Sequence, residues 1–302
     1  SNFNIRNLVS NKFLYLKEIM KNIVLIFIFQ FLINCSVSND PKAPNSQNIR
    51  YLITEGKALW EQRSDTSAMS RAKYFIGLAY KENNLDSELA PLIGEMNYTR
   101  AYFLEADPEK RDSIFLVGSQ ICKKSIYTNH DFLKILNQTQ GDSITRLFNA
   151  LNDAPKSIVP HLYWWAVNYL HYLNNRPVIE RINEREMLEI IMNRVLALEP
   201  SFHHSGPYRF FGLLYTRIPG LKLNQSETYF NQSLASNPEF LGNAVLMAEF
   251  YHQKAGNREK FHKTLQDVVN YDIAQYPEFL TDNLFFQNKA AQLLDRESSL
   301  FE

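Results

Sequence analysis

Beyond residue 49, apolar side chains recur mainly at three- and four-residue spacing, and strand-like alternation is scarce. That period places them on one face of successive helices, so the chain is expected to be all-α. Apolar spacing at Leu52, Ile53, Leu59 and Trp60 predicts a helix over 49–63, and Ala72, Phe75, Ile76 and Ala79 predict its hairpin partner over 69–81. A helix over 90–105 stops near Asp107-Pro108, where Asp107 can cap the next helix, 109–126, and Pro108 fits its first turn. Shorter helices follow over 131–138 and, capped by Asp142 or Ser143, up to Leu151. The most aromatic helix spans 158–173 and carries Leu162, Trp164, Trp165, Tyr169 and Tyr172. Asn183 is placed to cap 184–198, whose Met187, Ile190, Ile191, Val195 and Leu198 form one apolar face ended by Pro200.

Between residues 204 and 270 the pattern becomes repetitive. Measured against the roughly 34-residue tetratricopeptide pattern, Tyr208 stands at the first aromatic position, Phe211-Gly212 at the Leu-Gly pair and Tyr215 at the next aromatic. Ser226, Phe230, Ser233 and Pro238 fall at the small, aromatic, small and Pro positions of the second helix. The Ile218-Pro219-Gly220 turn absorbs about two extra residues relative to that pattern. A small residue at Gly212 lets the two helices approach, with Ser226 and Ser233 fitting against the first and large rings filling the space between. A second unit has Leu246, Ala248 and Tyr251, a Gly256-Asn257 turn, then Phe261, Leu265 and Val268. A last helix over 280–294, with Phe285, Phe286, Ala290 and Leu293, would cap the stack. The expected fold is a set of tetratricopeptide-like hairpins stacked into a compact solenoid.

Composition narrows the function classes. Of 302 residues 45% are hydrophobic and 13% aromatic, so a large core is available. Lys plus Arg and Asp plus Glu number 32 each, which leaves no basic field to collect nucleic acid. The two cysteines, Cys35 and Cys122, sit in unlike contexts and suggest neither a disulfide framework nor a zinc site; Cys122 reads as a small core residue.

Met20-Lys21-Asn22 opens a basic start, followed by an apolar run from Ile23 that ends at Leu32-Ile33-Asn34-Cys35. The outline is a signal peptide, and the run falls short of the ~20 apolar residues of a spanning helix. Its ending resembles the bacterial lipoprotein box, with Asn34 replacing the usual small residue. The expected organisation is therefore upstream sequence and signal over 1–34, a polar tether over 35–48 starting at a lipid-bearing Cys35, and one helical domain over 49–302. No Pro/Gly-rich linker divides that domain. Ser36 lacks the aspartate that favours inner-membrane retention, a lean toward the outer membrane.

Candidate chemistry is sparse. Tyr163, Trp164 and Trp165 are adjacent on a helix, about 100° apart, so they cannot all face one side. Either burial of the helix is unusually wide or at least one ring faces a cavity, groove or partner. Asn168, one turn on, could give such a pocket a polar contact or make an interhelical hydrogen bond. Arg209, beside Tyr208, could pair with a carboxylate of ligand or protein, or form a structural ion pair. His203-His204 lacks a third ligand at metal spacing, and His161 and His171 do not share a face. No hydrolase, nucleotide-binding or haem motif occurs, and no cofactor or metal is implied.

Three ordered passages, Leu162-Tyr163-Trp164-Trp165-Ala166-Val167-Asn168, Gly206-Pro207-Tyr208-Arg209-Phe210-Phe211-Gly212 with Ile218-Pro219-Gly220, and Leu246-Met247-Ala248-Glu249-Phe250-Tyr251, resemble the T-component lipoproteins of tripartite ATP-independent periplasmic (TRAP) transporters. The resemblance covers roughly 147–270. It implies a non-enzymatic, lipid-anchored periplasmic helical protein that accompanies the solute-binding P-component and helps handle a hydrophobic or other organic small ligand. Tyr163, Trp164, Trp165, Asn168, Tyr208 and Arg209 would be its ligand- or partner-binding residues, and a homo-oligomer is compatible with it. Lys222-Leu223-Asn224 departs from the family's usual Gly-Asp turn. The alternative is a tetratricopeptide scaffold lipoprotein of envelope assembly, with the aromatic helix as plain core.

Overall fold

The structure, a computed structural model, describes residues 46–83 and 88–302. The signal-like segment, Cys35 and most of the tether lie outside the described residues. Within them the protein is all-helical, without strands.

Helices α1 (Ser46–Glu61) and α2 (Thr66–Glu82) form the first hairpin, and α3 (Leu89–Thr99) runs into a π-helical turn, Arg100–Leu104. Then come α4 (Pro108–Ile126), α5 (His130–Gln138), α6 (Ser143–Asn152), α7 (Val159–Leu173) and α8 (Val178–Leu198). The hairpin of α9 (Phe202–Arg217) and α10 (Leu223–Ser236) follows. Next, α11 (Gly242–Leu246) continues as a second π-helical segment, Met247–His252, before α12 (Arg258–Val269), α13 (Leu280–Asp295) and α14 (Glu297–Leu300).

Side-chain caps explain several starts. Asp107 accepts from the amides of Glu109 and Lys110, Asp142 from those of Ile144 and Thr145, and Asn257 from that of Lys260. Helix α8 corrects one expectation: it begins at Val178, behind Pro177, rather than after Asn183. Val178, Ile179 and Ile182 are 44%, 62% and 44% exposed, so the first turns have no buried face to register as a period. The buried face starts at Met187.

The hairpin of α9 and α10 shows why its small residues are needed. The Ser226 hydroxyl donates to the Gly212 carbonyl at 2.7 Å, and a Cβ at Gly212 would lie 2.7 Å from the Phe230 ring. We expect Gly212→Ala to cost about 2 kcal/mol by overpacking. Gly77→Ala, in α2 where an added Cβ meets nothing within 4 Å, should gain about 0.5–1 kcal/mol from helix propensity. Urea unfolding of the two variants checks the opposite signs. Gly220 and Gly256, with φ of +83° and +67°, close the turns after α9 and before α12.

Helix α7 is the axis of the main core. It packs on α3, α4, α8 and α9, and all of it but Pro160, Tyr169 and Tyr172 is buried. A second, smaller apolar cluster belongs to α1, α2 and the near side of α3. On α13, Phe286 joins the main core while its neighbour Phe285 packs against the smaller cluster. No described helix is long and apolar enough to cross a membrane.

Candidate functional site

Where α3, α7, α9 and α13 converge they leave a narrow interior cavity. It encloses ≈ 570 Å³ of space between atoms, mouth included, of which ≈ 30 Å³ admits the centre of a water-sized sphere. That is room for water. A larger guest has to part the lining rings. Tyr98 of α3, Phe103 of the first π turn, Tyr163 and Trp164 of α7, Phe240 and Phe286 form an aromatic wall. Arg209, His203, Glu95 and Asp282 provide its polar groups.

The polar wall rests on an unusual piece of backbone. His203, His204 and Ser205, at the start of α9, have φ of 44°, 57° and 61°. Three consecutive left-handed non-glycine residues cost about 1–3 kcal/mol each unless their surroundings hold them. Arg209 supplies the hold: its guanidinium donates to the carbonyls of His203 and His204, both at 3.0 Å, to Asn243 Oδ1 at 2.6 Å and to the Tyr163 hydroxyl at 3.3 Å. It also stacks over Phe240, 4.9 Å from the ring centre. All these hydrogen-bond partners are neutral. Ser205 Oγ adds a 2.6 Å bond to Asn237. Gly206 completes the turn, because a Cβ there would lie 2.3 Å from the Tyr163 hydroxyl.

The turn delivers His203 to the cavity, its ring 4.8 Å from that of Trp164. Burial, then the charge of Arg209, holds His203 well below the ordinary histidine range, and the same two causes bring His204 down to about 4. Further along the wall, burial followed by Arg217 and Lys289 pushes His171 down to about 3. These histidines are neutral in the fold and ordinary when unfolded. Their stabilising contribution is full above pH ~6.5 and is lost as pH falls from there toward those lower values. Imidazole NMR signals of His171 that show no titration between pH 7.5 and 4.5 are the expected result.

At the mouth, Trp60 Nε1 donates to Glu95 Oε1 at 3.2 Å and Arg63 pairs with Asp282 at 2.8 Å. Burial, with Asp282 next, pushes the Glu95 carboxyl up to about 7 against the opposing pull of Arg63 and the Trp60 indole. Beyond the aromatic wall, the two π-helical segments meet. Tyr102 of the first donates to Glu249 of the second, and Lys289 reaches Glu249 at 3.3 Å.

Of the residues singled out in the sequence, Tyr163, Trp164 and Arg209 line the cavity together. Trp165, 1% exposed, packs in the core away from it beneath the Lys123 ammonium. Asn168 is fully buried and donates to the carbonyls of Gly94 at 3.0 Å and Trp164 at 2.8 Å, tying α7 to α3. Tyr208 is half-buried on the side of α9 turned from the cavity. Cys122 is buried, its thiol donating to the Ala90 carbonyl at 3.3 Å. Among the described residues no cluster of His, Cys, Asp or Glu could hold a metal ion.

Sequence reasoning missed Glu95, Tyr98 and Asp282, weighed His203 only as a metal ligand and took Phe286 for plain core. One signal was present: Glu95 is an acidic residue set between Gly94 and Met96 in an otherwise apolar run.

These features define an all-helical protein folded around an aromatic cavity with a charged mouth. The family model described as the TRAP transporter T-component matches residues 63–301, and the chain belongs to that family. The role this implies is that of a transporter accessory component. No curated protein matches the chain in sequence.

Proposed function

We propose that the protein engages the solute-binding P-component of a TRAP transporter in the periplasm and receives an organic ligand with an apolar body in its aromatic cavity. The observation that carries the reading is the cavity itself, an aromatic enclosure with polar groups at one side, in a chain of this family. In this reading Tyr163, Trp164 and Arg209 contact ligand, Trp165 and Asn168 hold α7 in place, and Tyr208 braces α9. Helical hairpins such as α9–α10 act as tetratricopeptide-like units, and Cys35 carries a lipid that keeps the protein at the membrane, by preference the outer one.

Exposed apolar residues support a protein partner. Ile179 and Ile182 of α8, 62% and 44% exposed, precede Asn183 and Glu184, which line a surface groove together with Ile144, Leu147, Phe148 and Met187 and the charged Lys123, Arg146 and Glu186. Such a patch is what a docking surface requires. The test is retention of a purified TRAP solute-binding protein on the immobilised, purified protein. Wild type should retain it, and Ile179→Glu with Ile182→Glu should lose at least tenfold in affinity. Failure of wild type to retain it at micromolar concentration would sink the partner assignment. For the ligand, mass spectrometry of small molecules extracted from purified wild type and Trp164→Ala should find an apolar compound in the first and less in the second.

A further inference from the structure

Cations collect at the C-terminal end of α9. The Arg217 carbonyl accepts from Arg181 of α8 at 3.0 Å, and the Thr216 carbonyl accepts from Lys254, just beyond the second π-helical segment. Those bonds have a structural use, since the last carbonyls of a helix lack partners along the chain and attract positive charge. The Arg217 side chain has no such use. Its guanidinium lies on the Phe250 ring, 4.6 Å from the centre, with Nε buried and without a hydrogen bond. Among the described residues no group accepts from its other nitrogens, and no carboxylate is within ion-pair distance. Burying a cation in this way is unfavourable, so the fold tolerates Arg217 rather than depending on it.

Nearby acids are engaged elsewhere. Glu249, which attracts Arg217, accepts from Tyr102 and is reached by Lys289 at 3.3 Å. On α8, Glu189 pairs with Arg185 at 2.9 Å, and Glu184 and Glu180 act on Tyr169. Arg181, Arg217 and Lys254 therefore repel one another. Burial, then Arg217 and Arg181, lowers the pKa of Lys254, and burial with Arg181 lowers that of Arg217 against the pull of Glu249. Beside these cations the surface is aliphatic. Val178, Arg181 and Ile182, at i, i+3 and i+4, share one side of α8, and Val178 and Ile182 are exposed. Such a surface complements an acidic side chain with apolar neighbours, in charge and in polarity.

We propose that this corner anchors the solute-binding P-component: an Asp or Glu side chain of that protein accepts two hydrogen bonds from the Arg217 guanidinium, between Arg181 and Lys254, while Val178 and Ile182 exclude water around the pair. The anchor rests on the partner assignment made for the protein as a whole. An arginine fork receives a carboxylate bidentately, and the bond strengthens as water leaves. Because Arg217 is already largely desolvated in the free protein, little of its hydration is left to lose when the partner arrives. The flanking cations add attraction at a distance and direct the encounter.

The test pairs stability with binding in Arg217→Met, which keeps the bulk over Phe250 and removes the charge. Thermal unfolding of the full chain alone should show a midpoint unchanged or raised, because a buried cation without a hydrogen bond is gone. Affinity for a purified TRAP solute-binding protein should fall roughly tenfold or more. Arg217→Lys, with the charge but not the fork, should fall in between. Added sodium chloride should weaken wild-type binding more steeply than that of Arg217→Met. A clearly lowered midpoint in Arg217→Met would make the arginine structural and overturn the anchor. Binding as tight as wild type would overturn the anchor and leave the partner assignment standing, whereas no binding by wild type overturns both. If inorganic phosphate or acetate raises the midpoint of wild type but not of Arg217→Met, and partner binding is the same in both, the corner holds a free anion and is not the anchor.

Discussion

Replacing Arg209 by methionine is expected to lower the free energy of unfolding by roughly 3–5 kcal/mol, a far larger loss than an exposed arginine would show. The guanidinium holds two carbonyls of the left-handed turn, the Asn243 amide oxygen and the Tyr163 hydroxyl at once. Methionine conserves much of the bulk and offers no donor, so buried acceptors lose their partners and the strain of His203 to Ser205 is no longer offset. Lysine should recover little, because a single ammonium cannot span four acceptors arranged around a planar fork. Denaturant unfolding checks both variants, and a melting shift of ~10 °C is the corresponding thermal signature. A loss below about 1 kcal/mol in Arg209→Met would show that the turn holds without it.

Gly94→Ala should cost about 3 kcal/mol, at the upper end of overpacking, although alanine is the better helix former. An added Cβ would stand 2.6 Å from Cys122 Sγ and 2.8 Å from Trp164 Cβ. The second atom is next to the backbone of α7 and cannot swing aside, so α3 itself must move. That shift would stretch the Asn168 bond to the Gly94 carbonyl and displace Glu95 and Tyr98, which α3 carries into the cavity. Adding Cys122→Ala should relieve one of the two clashes. The double variant is therefore expected to lose about 1 kcal/mol less than the sum of the singles, a coupling that a denaturant double-mutant cycle reads directly. Strict additivity would place the strain elsewhere.

Much of the fold was legible because its signals are local. Apolar spacing located the helices, and Asp107 and Asp142 marked starts that the structure caps through those side chains. Gly212, Ser226 and Ser233 announced the close approach of α9 and α10, since small residues at those spacings have that packing use. Where a helix end has no buried face the signal fails, and α8 accordingly starts at Val178, six residues before its predicted first residue Glu184. The three aromatics of α7 posed a fair alternative, and burial on all sides of that helix resolved it: all three rings are buried, yet only Tyr163 and Trp164 also face the cavity.

By itself the sequence determined the helical class, the element order, the tight α9–α10 hairpin and the family to which the chain belongs. Those depend on residue type at fixed short separations. Tertiary structure alone decided the cavity and its mouth. Glu95, His203, Arg209 and Asp282 come from distant parts of the chain, and nothing in helical periodicity says which faces will meet. Nor does it reveal a left-handed turn of non-glycine residues, which exists because a distant asparagine and tyrosine position the arginine that holds it. Short-range sterics write the helices; desolvation and charge between remote residues make the site.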